Sequence, residues 1–214
     1  MRDARRNRWR MEVGASVALV AVLFALGKSS AGASTGVVIK EPQYGFSLTL
    51  PANWKQVPLN GSDVMALLNA ATHDNPALAD ALNGEISSGA AAGMKVFAIG
   101  PLSGATVPNV NVVITSSSGG PTGSAFAPAA VAEAKIGLTQ VGASHIKTSI
   151  ANNHLGRSAQ ATYELNLKSG PEFGDQFYVQ HRSYVEIMTV STSSPATSQS
   201  DARLIVDGWR WSRS

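Results

Sequence analysis

Cysteine is absent from all 214 residues. That excludes a disulfide framework, a lipid anchor attached at a cleavage-site cysteine, a Cys-based zinc site and a thiol nucleophile. Whatever domain the chain forms has no disulfide to hold it, and the length is ample for a hydrophobic core without staples. Freedom from cysteine is compatible with an oxidising compartment without requiring one.

Basic charge is scarce too, once its position is considered. The formal charge of +3 rests on 17 Lys/Arg against 14 Asp/Glu. Residues 1 to 33 carry six of the basic residues (Arg2, Arg5, Arg6, Arg8, Arg10, Lys28) and two acids (Asp3, Glu12), which leaves 11 basic against 12 acidic residues beyond them. The remainder is near neutral, with Lys and Arg scattered singly from Lys40 to Arg213. A nucleic-acid reader presents a basic stripe with interleaved aromatics, so nucleic acid is excluded as the expected partner.

Long apolar runs are limited to one. Val13 to Gly27 follows the cationic cluster Arg2 to Arg10 and precedes the small, polar stretch Lys28 to Ala33. This is the three-part grammar of a secretion signal, and its run is shorter than the roughly 20 residues that span a bilayer. Ala31-Gly32-Ala33 supplies small residues before a cut after Ala33. The sequence therefore predicts a signal peptide over 1–33, with an uncleaved anchor through residues 13–27 as the rival reading. Either way the domain, expected over 37–213, lies outside the cytoplasm, secreted or tethered, and touches membrane only through that amino-terminal segment.

Within the domain the periods are readable. Phe46, Leu48 and Leu50 alternate with Ser47 and Thr49, and Pro51-Ala52-Asn53-Trp54 ends the strand. Val64, Leu67, Leu68 and Ala71 have helical spacing, as do Leu78, Leu82 and Ile86 after Pro76. Residues 94–99 and 110–115 read as strands, 116–124 as a flexible loop, and Ala127 to Val141 as a helix stopped at Gly142. A short strand over 145–150 precedes the clearest one, 157–168, where Ala159, Ala161, Tyr163, Leu165 and Leu167 share a face. After a turn at Ser169-Gly170-Pro171, strands over 176–180 and 184–190 complete an antiparallel meander. Ser194 and Pro195 then start a last helix whose stripe is Ala202, Ile205, Val206 and Trp209. The expected class is α+β, a central antiparallel sheet flanked by helices.

The strand Tyr44-Gly45-Phe46-Ser47-Leu48-Thr49-Leu50 closed by Pro51-Ala52-Asn53-Trp54, the late meander and the terminal helix ending near Trp209 resemble the Mog1/PsbP-like superfamily, the actinobacterial LpqN-like and other exported PsbP-like members in particular. The resemblance covers about Val37 to Arg210. It implies a central antiparallel sheet flanked by helices and accessory or partner-binding roles, with no catalytic motif to carry over. The missing cysteine departs from the lipid-anchored members.

Chemistry-bearing patterns are few. His73, His145, His154 and His181 show no H-x-H or H-x-x-x-H spacing, so no metal or cofactor is expected. The G-x-S-x-G elbow of a hydrolase is absent, and Ser144-His145 is an adjacency within a strand, where neighbours point to opposite faces. Glu164, Glu172, Asp175 and Glu186 alternate with other residues in the way a solvated sheet face does. A non-catalytic binding protein follows, with an envelope protein as partner and a lipid or other small apolar ligand under the Ala-rich helix as the alternative; an exported hydrolase is third. The expected contact surface is the outer face of the meander, Tyr178, Tyr184, Glu186 and Met188, together with the loop 116–124, because exposed aromatics and Met favour interfaces.

Overall fold

The computed structural model describes residues 36–52, 54–56, 93–100, 108–167 and 170–212. The two helices expected between residues 62 and 86 lie outside the described residues, as does His73. Strands β1 (Val38–Glu41), β2 (Phe46–Thr49) and β3 (Lys55–Gln56) open the chain, followed by β4 (Met94–Ile99) and β5 (Asn109–Ser116). A 3-10 turn over Gly123–Ala125 leads into helix α1 (Phe126–Gln140). The meander consists of β6 (Ser144–Asn153), β7 (Gly156–Leu167), β8 (Gly170–His181) and β9 (Tyr184–Thr192). Helix α2 (Pro195–Gly208) and the short β10 (Trp209–Trp211) end it.

Seven strands form the main sheet in the order β3-β4-β5-β9-β8-β7-β6, each pair antiparallel. The meander strands pair as sequence neighbours, so short turns suffice and register follows from them. A smaller sheet, β1-β2-β10, is separate. The expected α+β class with a helix-flanked antiparallel sheet is what the chain forms.

Each face of the main sheet has its own core. On one, the buried stripe of α1 (Phe126, Ala127, Ala130, Ala134, Leu138) packs on Ala159, Ala161, Tyr163, Tyr178, Val185 and Ile187. On the other, the small sheet and α2 bring Phe46, Leu48, Ala202, Ile205 and Trp209 onto Val96, Val112, Phe177, Met188 and Val190. The alternation Val112, Val113, Ile114 sends successive side chains of β5 to opposite cores, the period of two expected of a strand buried on both sides. Helix α1 stops at Gly142, whose φ of +80° costs a residue without Cβ little. Helix α2 begins as expected: Pro195 takes its first turn and the Ser194 side chain accepts from the Thr197 N–H at 3.2 Å.

Two readings are corrected. Strand β8 starts at Gly170, so Pro171 belongs to a strand rather than to a turn, paired opposite Asn166. Trp209 is not the last residue of the helical stripe: it begins β10, pairs with Leu48 of β2 and stacks on Phe46 with ring centroids 4.6 Å apart. Its burial has the spacing of a helix but comes from sheet pairing.

Candidate functional site

The four residues expected to form a contact surface do not lie on one. Tyr178, Glu186 and Met188 are buried, and only Tyr184 is half-exposed. They also divide between the two faces, because β8 and β9 alternate: Tyr178 packs with α1, and Met188 packs in the opposite core. Tyr184 meets Tyr44 edge-on at 5.4 Å, and the Lys95 ammonium lies 5.5 Å from the Tyr44 ring. Helix α1 covers one face and the small sheet with α2 covers the other, which leaves the meander no outer face here. The loop 116–124 is largely exposed, and its Gly123 N–H donates to the Gln180 side chain at 3.1 Å.

Of the four acids read as a solvated face, Glu164 is partly exposed and the other three are interior. Glu172, Asp175 and Glu186 are each no more than 1% exposed. Burial pushes the Glu172 carboxyl up to about 8, with the Ser191 hydroxyl opposing the shift in part. Burial also drives Glu186 to about 8, moderated by nearby backbone N–H groups of its own residue and His181. Asp175 rises only to about 6, since the Gln160 side chain and the Arg203 guanidinium act against its burial. Gln160 Nε2 donates to both Asp175 oxygens, at 3.0 and 3.1 Å.

Open surface lies instead at the β6 margin. Among the described residues β6 has a neighbour on one side only, and it is ten residues long. Its opposite number, β3, is a two-residue edge. Natural sheets guard their edges with brevity, charge, proline or a bulge, since unpaired backbone groups recruit other strands. Strand β6 carries one lysine, Lys147, no proline and a bulge confined to its first residues, between Ser144 and Lys147. From Lys147 to Asn153 it is regular and its side chains are small or polar apart from Ile150, which is 40% exposed.

Beside this edge, between β6–β8 and the start of α2, is a cleft of about 360 Å³ lined by His145, Lys147, Glu164, Phe173, Pro195 and Gln199. The bulge aims His145 at it. His145 has a φ of +51°, a left-handed conformation uncommon for a residue with a Cβ. This overturns the expectation that Ser144 and His145 point apart: Ser144 Oγ is 3.4 Å from His145 Nδ1, and Glu164 Oε2 is 3.0 Å from the same nitrogen. A catalytic relay needs one ring nitrogen for the nucleophile and the other for the acid, so a single nitrogen serving both is a surface ion pair in which serine is not activated. Ser144-x-x-Lys147 has the spacing of a serine–lysine pair, but that pair relies on a helix, where residues three apart are neighbours, and here both residues are on a strand.

The other histidines go to different partners. His154 Nε2 is 3.0 Å from the Trp209 carbonyl, and the His181 ring stacks on Trp211 at 4.0 Å. Among the described residues no three His, Asp or Glu side chains are grouped to hold a metal ion.

No family model and no curated protein matches the chain. Solved structures do. Cyanobacterial PsbP (CyanoP) from Synechocystis sp. PCC 6803 is similar over 87% of this chain and 98% of its own, at 13% identity and a TM-score of 0.54. LpqN of Mycobacterium tuberculosis, described as involved in cell envelope biogenesis, is similar over 83% of this chain and 91% of its own, at 10% identity and a TM-score of 0.50. At such identities the likeness is one of fold. Strand order, helix placement and these likenesses together give the chain the Mog1/PsbP-like α+β fold.

Proposed function

We propose that the protein is an exported, non-catalytic component of the cell envelope that binds a partner protein by accepting one of its strands along β6. The single observation that carries this is the ten-residue edge whose backbone, from Lys147 onward, pairs on one side only among the described residues. Strand addition takes its affinity from main-chain hydrogen bonds and its selectivity from side chains that enter neighbouring pockets. The cleft beside α2 is such a pocket, with Lys147 and His145 at its rim and Phe173 in its wall. Export is supported by the amino-terminal signal grammar, and the envelope setting by the likeness to LpqN.

The alternative of a lipid or apolar-ligand carrier beneath the Ala-rich helix is less well supported. Ala127, Ala130 and Ala134 are buried in the same packed cluster as Ala159 and Ala161, so small side chains on both sides let helix and sheet approach closely. Space saved by alanine is closed by that approach.

The test is a photo-crosslinking amino acid placed at Ser149 of β6 or at Ile136 on the exposed side of α1, in the full chain expressed in its native envelope. An adduct of defined mass from position 149 and none from 136 is expected. Equal adducts from both, or none from 149, would reject strand addition. The intact mass from the same preparation checks export, with a chain beginning at Ser34 as the expected product.

A further inference from the structure

The two faces of β6 differ in what they leave at the open edge. From Lys147 to Asn153 the strand pairs with β7 residue by residue, with Lys147 opposite Thr162 and Ile150 opposite Ala159. Ala159 belongs to the core under α1, so Ile150 faces the α1 side of the sheet. Lys147, three residues earlier, faces the α2 side, where it lines the cleft with Thr162 and Gln199. A strand laid along the open side of β6 continues both rows. One of its side chains stands beside Lys147, and another, three positions away and on the opposite face, stands beside Ile150. The spacing is the same whether the added strand runs parallel or antiparallel, because the ladder is regular here.

Each row has a distinct chemistry. Lys147 is exposed and makes no hydrogen bond or ion pair among the described residues. The acids nearest it on that face are already engaged: Glu164 Oε2 lies 3.0 Å from His145 Nδ1, and buried Asp175 accepts from Gln160 Nε2 at 3.0 and 3.1 Å. Strand β6 has no Asp or Glu anywhere along its ten residues, and Arg157 of β7, opposite Asn152, adds a second cation near the edge. The margin is therefore short of negative charge. The cleft of about 360 Å³ leaves room for a long side chain to lie beside Lys147 toward Thr162 and Gln199. On the other face Ile150, at 40% exposed, is the one large apolar side chain of the regular stretch.

Resting on the reading of β6 as a docking edge, we propose that it selects its partner strand by two side chains three positions apart: an Asp or Glu that pairs with Lys147 at the cleft, and an apolar residue that covers Ile150 on the opposite face. Opposite charges side by side on a ladder favour pairing and like charges oppose it, while cover over Ile150 removes apolar surface from water. A second copy of this chain does not meet the pattern. Laid against itself in any register, β6 brings Lys147 no acid. The occupant is an extended segment of a different protein, with an acidic and an apolar residue separated by two others.

The experiment uses the full chain in its native envelope, with the photo-crosslinking amino acid at Ser149, between the two selecting positions. It reads the adduct yield and, by fragment mass spectrometry, the segment captured. A segment of another protein carrying Asp or Glu three positions from an apolar residue is expected. Lys147→Gln should lower the yield about threefold and Lys147→Glu about tenfold, with Lys147→Arg close to wild type. Added salt should depress the wild-type yield and leave that of Lys147→Gln nearly unchanged. An adduct whose yield is the same in wild type, Lys147→Gln and Lys147→Glu would overturn the acidic pairing while strand addition stands. Capture of a segment without that pair of residues, or of a second copy of this chain, would overturn the selection rule in the same way. No adduct from position 149 in wild type would reject strand addition and this rule with it.

Discussion

The margin of the main sheet and its centre are built on opposite terms. At β6 the side chains from Lys147 onward are small or polar apart from Ile150, the backbone is open on one side among the described residues, and the pair of His145 with Glu164 sits at a bulge with the imidazole 77% exposed. At β8 and β9 every residue from Gly174 to Val179 and from Val185 to Thr192 is buried, and three carboxyl groups are buried with them. Charge at the margin is cheap because solvent screens it; in the centre it is retained only by giving up ionisation or by finding partners. Asp175 shows the second solution, through Gln160 and Arg203, and Glu172 and Glu186 show the first. The margin therefore leaves its charge in solvent, whereas the centre ties its polar groups into the fold.

The sharpest way to break this contrast is steric. Gly174→Ala forces a methyl group into the Tyr163 ring and should destabilise the protein by about 3 kcal/mol or more, whereas Ser149→Ala on β6 should change stability by less than about 0.5 kcal/mol. Chemical denaturation of both variants checks this; comparable losses would mean that the margin is as tightly built as the centre.

Titration sharpens it next. Glu172 and Glu186 have folded-state pKa values near 8, above those of an unfolded chain, so the native state holds protons that the unfolded state releases. Stability should be highest below about pH 4.5 as far as these groups are concerned, fall as pH rises toward 8, and level off beyond it. The slope is at most about 1.4 kcal/mol per pH unit for each carboxyl. Thermal melts between pH 5.5 and 8.5 should show Tm dropping in wild type and dropping less in Glu172→Gln and Glu186→Gln. A Tm that wild type and both variants hold level across this range would show that the carboxyls are already ionised in the folded protein.

Smaller effects belong to the margin. Ser194→Ala removes the cap of α2 next to the cleft and should cost about 1 kcal/mol by denaturant midpoint. Ile150→Lys places a second charge on the open edge and should leave stability within about 0.5 kcal/mol while abolishing the envelope adduct at Ser149. Retention of that adduct would mean that the contact does not use the edge.

Much of this architecture was legible in the amino-acid order. Alternation along Ala159, Ala161, Tyr163 and Leu165 marked β7, and the Ala127 to Leu138 stripe marked α1, because burial on one face leaves a period that side-chain type records. What was not legible depends on layers. Glu172, Asp175 and Glu186 look like a solvent face in sequence, and only the cover of α1 on one side and of the small sheet with α2 on the other makes them interior. Trp209 has helical spacing from Ile205 and Val206 although β2 holds it. The bulge that turns Ser144 and His145 toward each other leaves no trace in composition, and neither does the position of β6 at the end of the strand order, which decides that the candidate surface is there rather than on the meander's face.

Amide hydrogen exchange on the protein alone and bound to the crosslinked partner, once that partner is purified, tests the central claim most directly. The outward amides of β6 from Lys147 to Asn153 should exchange readily in the free protein and become protected in the complex, with β8 and β9 unchanged. Protection that appears on the outer side of α1 or in the loop 116–124 while β6 continues to exchange would contradict recognition by strand addition.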